Sequence, residues 1–398
     1  MAHSELTDDE RASLQAFLQA LVKTASPSGA EGAVAALIMD EMRRLGYDDV
    51  WMDEAGNVIG QIGPASGAES GPILMFNSHM DTVAADPASW ELDPRGGEVK
   101  KGRLYGVGAC DMKGGLAATV YSAALLARRK VSLHGTLIVA CVGLEEPSEG
   151  TGTRVLFEED HLRPDWVVIA EPSNLQVVRA QRGHIEMLLS VTGRSAHSST
   201  PELGDNAIYA AARLIFGLEI LTGQMPEDPF LGPGVLAVTD IKSRAASRNA
   251  IPDRCEMFLD RRLTLGETEA MALMEIQRVV AREASHAEVR VIEEDVTTHT
   301  GKVLRARRAS LPWAFDERHP LVQAMVHAAR SVGLRPGITR WHFATEGAYS
   351  AGVARVPTVG FGPGDPSLAH CVNECVELDQ VFAAAAAYAA LSEKLLVG

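Results

Sequence analysis

The chain has 398 residues, 46% of them hydrophobic and 22% charged, which is enough to build a sizeable core and too much for one ordinary domain. Its 52 acidic residues against 37 basic ones leave a net charge of −15, which argues against nucleic acids and anionic membranes as partners. No segment reads as membrane-spanning, the polar and acidic start over residues 1–11 is unlike a signal peptide, and the five cysteines fit reduced thiols in the cytoplasm.

The chain opens with two predicted helices. Thr7 and Glu10 form a capping-box pattern before Leu14, Phe17, Leu18, Leu21 and Val22 at helical spacing. Ser28 and Glu31 repeat the pattern before Val34, Leu37, Ile38 and Met42, and Gly46 should end that helix. Residues 63–71 read as a Gly/Ser/Ala turn region. Four short apolar runs, 73–76, 136–142, 166–170 and 357–361, read as buried strands, and a helix is predicted over 114–129. Strands alternating with helices imply an α/β fold with a mostly parallel sheet.

The middle of the chain changes character. Strands are predicted over 184–191, 235–241, 255–263 and 288–292, with helices over 206–221 and 267–284. This β-α-β-β-α-β order is ferredoxin-like and predicts an inserted α+β domain at 183–305. The flanking segments, 1–182 and 306–398, would together form the main domain.

In open α/β sheets ligands bind at the carboxyl ends of strands. Those ends carry metal-type ligands here. The first run leads into His79 and Asp81, which share a face of extended chain. A glycine-rich loop, Gly106 to Gly115, carries Asp111 into the following helix, where one carboxylate has two oxygens for two ions. Glu145 and Glu146 end the second strand, Glu171 the third, and the last leads through Gly362 and Gly364 to His370. Of two adjacent carboxylates, one can bind metal while the other acts as a base on water. Singly these motifs are weak, since a His-x-Asp is usually a surface pair and Glu-Glu a solvated one. Jointly they supply the ligand inventory of a binuclear zinc hydrolase. Cys371 and Cys375 have no second pair at zinc-finger spacing and read as non-ligands.

These motifs, in this order, resemble the M20 metallopeptidase family, whose members include carboxypeptidases, aminoacylases, acetylornithine deacetylases and succinyl-diaminopimelate desuccinylases. The resemblance implies one metal on His79, Asp111 and Glu171 and a second on Asp111, Glu146 and His370. It implies Glu145 as general base, Asp81 behind His79, and the inserted domain as a dimerisation lid. Gly193 to Ser199 resembles the family's lid motif, so His197 would enter the partner subunit's site and polarise the scissile carbonyl. Asn249 and Arg262 would contact substrate, Arg262 through a carboxylate, with Gly362 beside them. Without the resemblance, His197 reads as a loop histidine and Arg262 as a strand-edge charge. Thr345-Glu346-Gly347 and the stretch 360–364 look most like a subgroup linked to selenium or purine catabolism. Glu346 reads as a helix cap, with contact to a substrate amine as the alternative. Arg340, Trp341 and His342 read either as pocket lining or as packing.

The expected activity is hydrolysis of an amide bond in a small N-acyl or N-carbamoyl amino acid by a homodimer carrying two zinc ions, with cobalt or manganese as substitutes. Exopeptidase action on short peptides is the alternative, and an inactive binding protein is a third reading, disfavoured because the base and every ligand are present.

Overall fold

The computed structural model describes residues 6–64, 71–128, 131–284 and 286–397. Residues 1–5 of the acidic start, 65–70 of the turn region and 129 at the end of a predicted helix lie outside the described residues. Helix α1 (Asp8–Lys23) begins with the expected capping box: the Glu10 amide donates to the Thr7 hydroxyl and the Thr7 amide to the Glu10 carboxylate. Helix α2 (Gly32–Arg44) is followed by Gly46 at φ +81°, a conformation that suits glycine. Its start departs from expectation, because no capping box forms. The Ser28 hydroxyl donates to Asp81 Oδ2 at 2.7 Å, and Glu31 Oε1 accepts from the Gly29 and Leu144 amides at 2.9 and 3.2 Å. Tertiary acceptors and donors outcompete the local cap.

The main sheet is built from β1 (Asp49–Met52), β2 (Val58–Ile62), β3 (Ile73–His79), β4 (Thr136–Val142), β5 (Trp166–Ile169) and β6 (Val177–Gln181) in the first half of the chain. Helices α3 (Gly114–Arg128) and α4 (Thr151–Glu158) lie between these strands in sequence. The inserted unit follows: β7 (Gly183–Thr192), α5 (Ala207–Thr222), β8 (Val235–Arg244), β9 (Arg254–Leu263), α6 (Glu269–Glu283) and β10 (Ala287–Val291). The chain then returns through β11 (Trp313–Ala314), α7 (Pro320–Ser331), β12 (Ile338–Trp341), β13 (Thr358–Gly360) and α8 (Leu378–Leu396).

The main sheet has the order β1-β2-β4-β3-β5-β13-β6-β11, with β12 also paired to β6. The central strands β4, β3, β5 and β13 are parallel, while β2 and β6 join them antiparallel on either side. β3 and β4 are buried nearly throughout, as strands covered on both faces must be. Register brings His79 beside Val142 and Asn77 beside Ile169, so three carboxyl ends open at one level.

The inserted unit is an antiparallel sheet of order β8-β9-β7-β10, the ferredoxin-like arrangement. Alternate residues of β7 and β9, among them Ile185, Met187, Leu189, Met257 and Leu259, pack with Leu214 of α5 and Ile276 of α6 into a separate core. A hairpin, Glu293–Thr297 with Val303–Arg307, straddles the expected boundary at 305 and packs on the preceding segment. His299 Nε2 lies 3.1 Å from the Gly56 carbonyl, and Leu304 is buried with Ala55, Leu144 and Val155. No helix among the described residues is long and apolar enough to cross a membrane.

Candidate metal centre

The residues picked from the strand ends converge. His79 closes β3, and its Nε2 lies 3.0 Å from Asp111 Oδ1 and 3.3 Å from Glu171 Oε1. On the opposite side, His370 Nε2 lies 3.3 Å from Asp111 Oδ2 and 2.9 Å from Glu146 Oε2. Each Asp111 oxygen therefore faces a different imidazole, and each imidazole has one further carboxylate. Donor atoms of His79, Glu145 and Glu171 also fall within 4.8 Å of one another, as do those of His79, Asp111 and Glu146. These overlapping trios describe one continuous cluster. The shorter pairwise distances divide it at Asp111, and they are the better guide to how it would split between two ions.

Backbone and polar contacts hold this arrangement. Glu374 accepts from the amides of Gly108, Cys110 and Asp111 at 2.9, 2.8 and 2.9 Å, which fixes the loop that presents Asp111. Leu144, immediately before Glu145, and His370 itself adopt left-handed backbone at φ 60° and 58°, uncommon for residues other than glycine. Asp81 works differently from expectation. His79 Nδ1 meets the Asp81 backbone carbonyl at 3.0 Å, with the carboxylate Oδ1 farther off at 3.6 Å. The carboxylate instead accepts from the Glu145 and Glu146 amides at 3.1 and 3.2 Å and so orients the turn that bears both.

The electrostatics of this cluster call for cations. Burial pushes the Glu145 carboxyl well above the usual range, only partly offset by His79 and reinforced by Glu346, Glu171 and Glu146. Burial likewise raises Glu171, with Asp111 adding to it. Burial opposes ionisation of Asp111 too, but contacts with His370 and His79 win and hold it below the usual range. The Asp111 and Glu146 carboxylates raise His370 to about 10. Glu146 Oε1 and Glu171 Oε2 are buried without a hydrogen-bond partner. Orphaned carboxylate oxygens beside two imidazoles, with one carboxylate between the halves, fit a pair of divalent ions.

The remaining expected residues divide. His197 and Asn249 come together in the inserted unit, where the Ser198 amide donates to the Asn249 carbonyl at 2.9 Å. Both are exposed, and His197 Nδ1 pairs with the Ser199 hydroxyl at 2.7 Å rather than with the ligand cluster. Arg262 already grips Asp260 through Nε and Nη2 at 2.8 and 2.9 Å, leaving Nη1 unused by that pair. Gly362 is committed to the Glu171 turn: its amide donates to the Ser173 hydroxyl at 2.9 Å and its carbonyl accepts from Leu175 at 3.0 Å. A Cβ there would sit 2.3 Å from the Ala170 carbonyl, so the close approach of this turn to the end of β5 requires glycine. Glu346 occupies the cap position of the short helix Gly347–Ser350 but makes no capping bond, which corrects the cap reading. It is fully buried, both its oxygens lack partners, and its charge acts on Glu145 and Glu171. Trp341 packs, its Nε1 donating to the Pro172 carbonyl at 2.9 Å. Cys371 and Cys375 are free thiols. Sequence reasoning missed Glu374, whose only local signal is its place between those two cysteines.

Residues 75–394 match peptidase family M20/M25/M40, and the chain belongs to this family. It is 35% identical over 390 residues to YgeY of Escherichia coli strain K12, covering 97% of this chain and 95% of that one. It is 27% identical over 371 residues to an acetylornithine deacetylase of Vibrio vulnificus, covering 90% of each. Among solved structures, a tripeptidase from Staphylococcus aureus superposes with a TM-score of 0.77 at 20% identity, over 97% of this chain and 98% of that one. The Bacillus subtilis YXEP protein, described as a dinuclear metal binding peptidase of the M20 family, does so with 0.73 at 17%, over 98% and 99%. The protein is therefore an M20 hydrolase of mixed α/β architecture with a mainly parallel sheet.

Proposed function

We propose that this M20 hydrolase cleaves the amide bond of a small N-acyl or N-carbamoyl amino acid. The observation that carries the reading is the sharing of Asp111 between two histidine–carboxylate pairs. One zinc ion would be held by His79, Asp111 and Glu171 and another by Asp111, Glu146 and His370; cobalt or manganese could replace zinc. When bound, such ions supply Lewis acidity at the carbonyl and acidify water. Glu145 accepts a proton from the attacking water and delivers it to the leaving nitrogen. Asp81 keeps Glu145 in place through the Glu145 amide. Arg262 would receive the substrate carboxylate through its spare Nη1 edge, while Asn249, beside His197 at the other end of the Arg254–Leu263 strand, would contact substrate together with His197.

His197 would act across a homodimer formed by the inserted domain, 183–305. Two features support that pairing. β8 is an edge strand of ten residues, exposed along most of its length. Tyr209, Phe216 and Ile220 of α5 form an apolar stripe, respectively 68, 66 and 60% exposed. The five free cysteines suit a reducing cytoplasm. The test is a hydrolysis screen of N-acetyl, N-succinyl and N-carbamoyl amino acids alongside dipeptides, with bound zinc counted. Turnover of dipeptides alone would move the assignment to an exopeptidase. No turnover of any amide by protein carrying two ions would sink it.

A further inference from the structure

Arg182, Arg340 and His342 gather where the ends of β6 and β12 meet, and no counter-charge pairs with them among the described residues. Arg182 follows β6 directly. Arg340 lies in β12 and His342 just past its end. The Arg182 amide donates to the Trp341 carbonyl, so the two strand ends are held side by side. Among the described residues neither arginine nor His342 has an ion pair, in a chain of 52 acidic residues against 37 basic ones. Arg182 spends only Nε, on the Leu231 carbonyl at 3.0 Å. Arg340 makes no hydrogen bond, and its buried Nε has no partner.

The loop between α5 and β8 closes over them. Phe230 lies 5.4 Å from the Arg340 guanidinium and 3.7 Å from that of Arg179. Gly232, at φ +80°, leaves room for Arg182, since a Cβ there would come within 2.9 Å of Nη2. One contact leads from the cluster toward the metal centre. Gln181, next to Arg182, accepts from the Thr345 hydroxyl, which precedes Glu346. Arg262 is near enough to disfavour charge on Arg182, after burial and Arg340. Burial, Arg182 and Arg340 likewise hold His342 below its usual range, so the imidazole contributes no cation of its own.

Guanidiniums crowded without an acid gain most from a planar anion that takes two donors at once. We propose that Arg182 and Arg340, roofed by Phe230, form an anion subsite for a second substrate carboxylate, separate from the one assigned to Arg262. The preferred substrates would carry an acidic acyl group or an acidic side chain. This rests on the amide-hydrolase reading and narrows it.

The test compares matched pairs: N-succinyl-alanine with its terminal carboxamide, and N-acetyl-glutamate with N-acetyl-glutamine. Wild type should prefer the acid in at least one pair, judged by the ratio of kcat/KM values. Arg340→Gln should cut that ratio about tenfold or more, as expected for a lost charge-assisted contact, while Arg340→Lys keeps part of it. A wild type without acid preference, or an unchanged ratio in Arg340→Gln protein that keeps the wild-type Tm and metal content, would overturn the proposal. Succinate and inorganic phosphate are also titrated calorimetrically into Glu145→Gln protein with and without Arg340→Gln. Succinate binding that weakens with Arg340→Gln supports the subsite even if no amide is turned over, which separates its fate from that of the activity. Phosphate binding at Arg340 with no effect on acid preference would make it a free-anion site and overturn the substrate assignment.

Discussion

His184→Gln should flatten the pH dependence of stability between 6.5 and about 9. His184 opens the inserted domain, is 7% exposed, and places Nδ1 2.9 Å from Glu149 Oε1, on the loop that carries Glu145 and Glu146. Its Nε2 lies 3.4 Å from Asp260 Oδ2 and 3.8 Å from Glu186 Oε1. Burial opposes protonation, but Asp260 and Glu149 outweigh it and raise the pKa from 6.5 to about 9. A pKa raised by folding adds stability that is fully present below 6.5 and is lost as pH climbs through about 9. At about 1.36 kcal/mol per pH unit this corresponds to roughly 3 kcal/mol. Asp260 is lowered to about 2 by its contacts with His184 and Arg262 against burial; it describes the acid side of the same interaction and is not added again. The assay is urea unfolding of zinc-loaded wild type and variant at both ends of that range, with histidine-ring NMR. Zinc loading removes His79 and His370 from the titration, since an imidazole must be neutral to ligate. Wild type should lose the extra stability as pH rises and the variant should not. An equal fall in both midpoints, or no imidazole titrating above the usual histidine range, would refute the reasoning.

Dialysis against a chelator should abolish amide hydrolysis, and zinc, cobalt or manganese should restore it; full activity in protein verified as metal-free would exclude the mechanism. Glu145→Gln should retain both ions and lose about 10²- to 10⁴-fold in kcat, whereas Glu146→Gln should bind one ion weakly, so metal analysis showing the reverse would exchange the two roles. Glu374→Ala strips the acceptor from three amides of the Asp111 loop at about 1–3 kcal/mol each. It should lower both Tm and metal affinity, and a variant unchanged in both would show that the loop holds itself. Mixing His197→Ala with Glu145→Ala dimers should recover about a quarter of wild-type sites under random exchange if His197 acts in trans; no recovery despite exchange confirmed by mass would put it outside the partner's site.

The sheet was legible because residues 73–76 and 137–142 are apolar runs, as strands covered on both faces require. Once those strands are parallel, their carboxyl ends lie side by side, and His79, Glu145 and Glu171 must meet. The ferredoxin-like unit was legible for a similar reason, since the alternation along Arg254–Leu263 survives in its burial. What stayed hidden depends on partners far along the chain. Glu374 stands 266 residues from Gly108, whose amide it accepts, and no local pattern distinguishes it from a surface acid. Arg182 drew no reading and Arg340 only an undecided one, pocket lining or packing, because their neighbour Phe230 is remote in sequence. The most instructive misses concern Ser28, Glu31 and Glu346, all placed where a helix cap belongs and none of them capping. Ser28 goes to Asp81, Glu31 to the amide of Leu144, and Glu346 is buried against the charges of Glu145 and Glu171. Each forgoes a cap worth about 1 kcal/mol. Local rules broken without local compensation gather where another demand is stronger. All three misplaced caps border the same cluster of carboxylates, so the failures of the helix reading point to the metal centre that the strand ends identify independently.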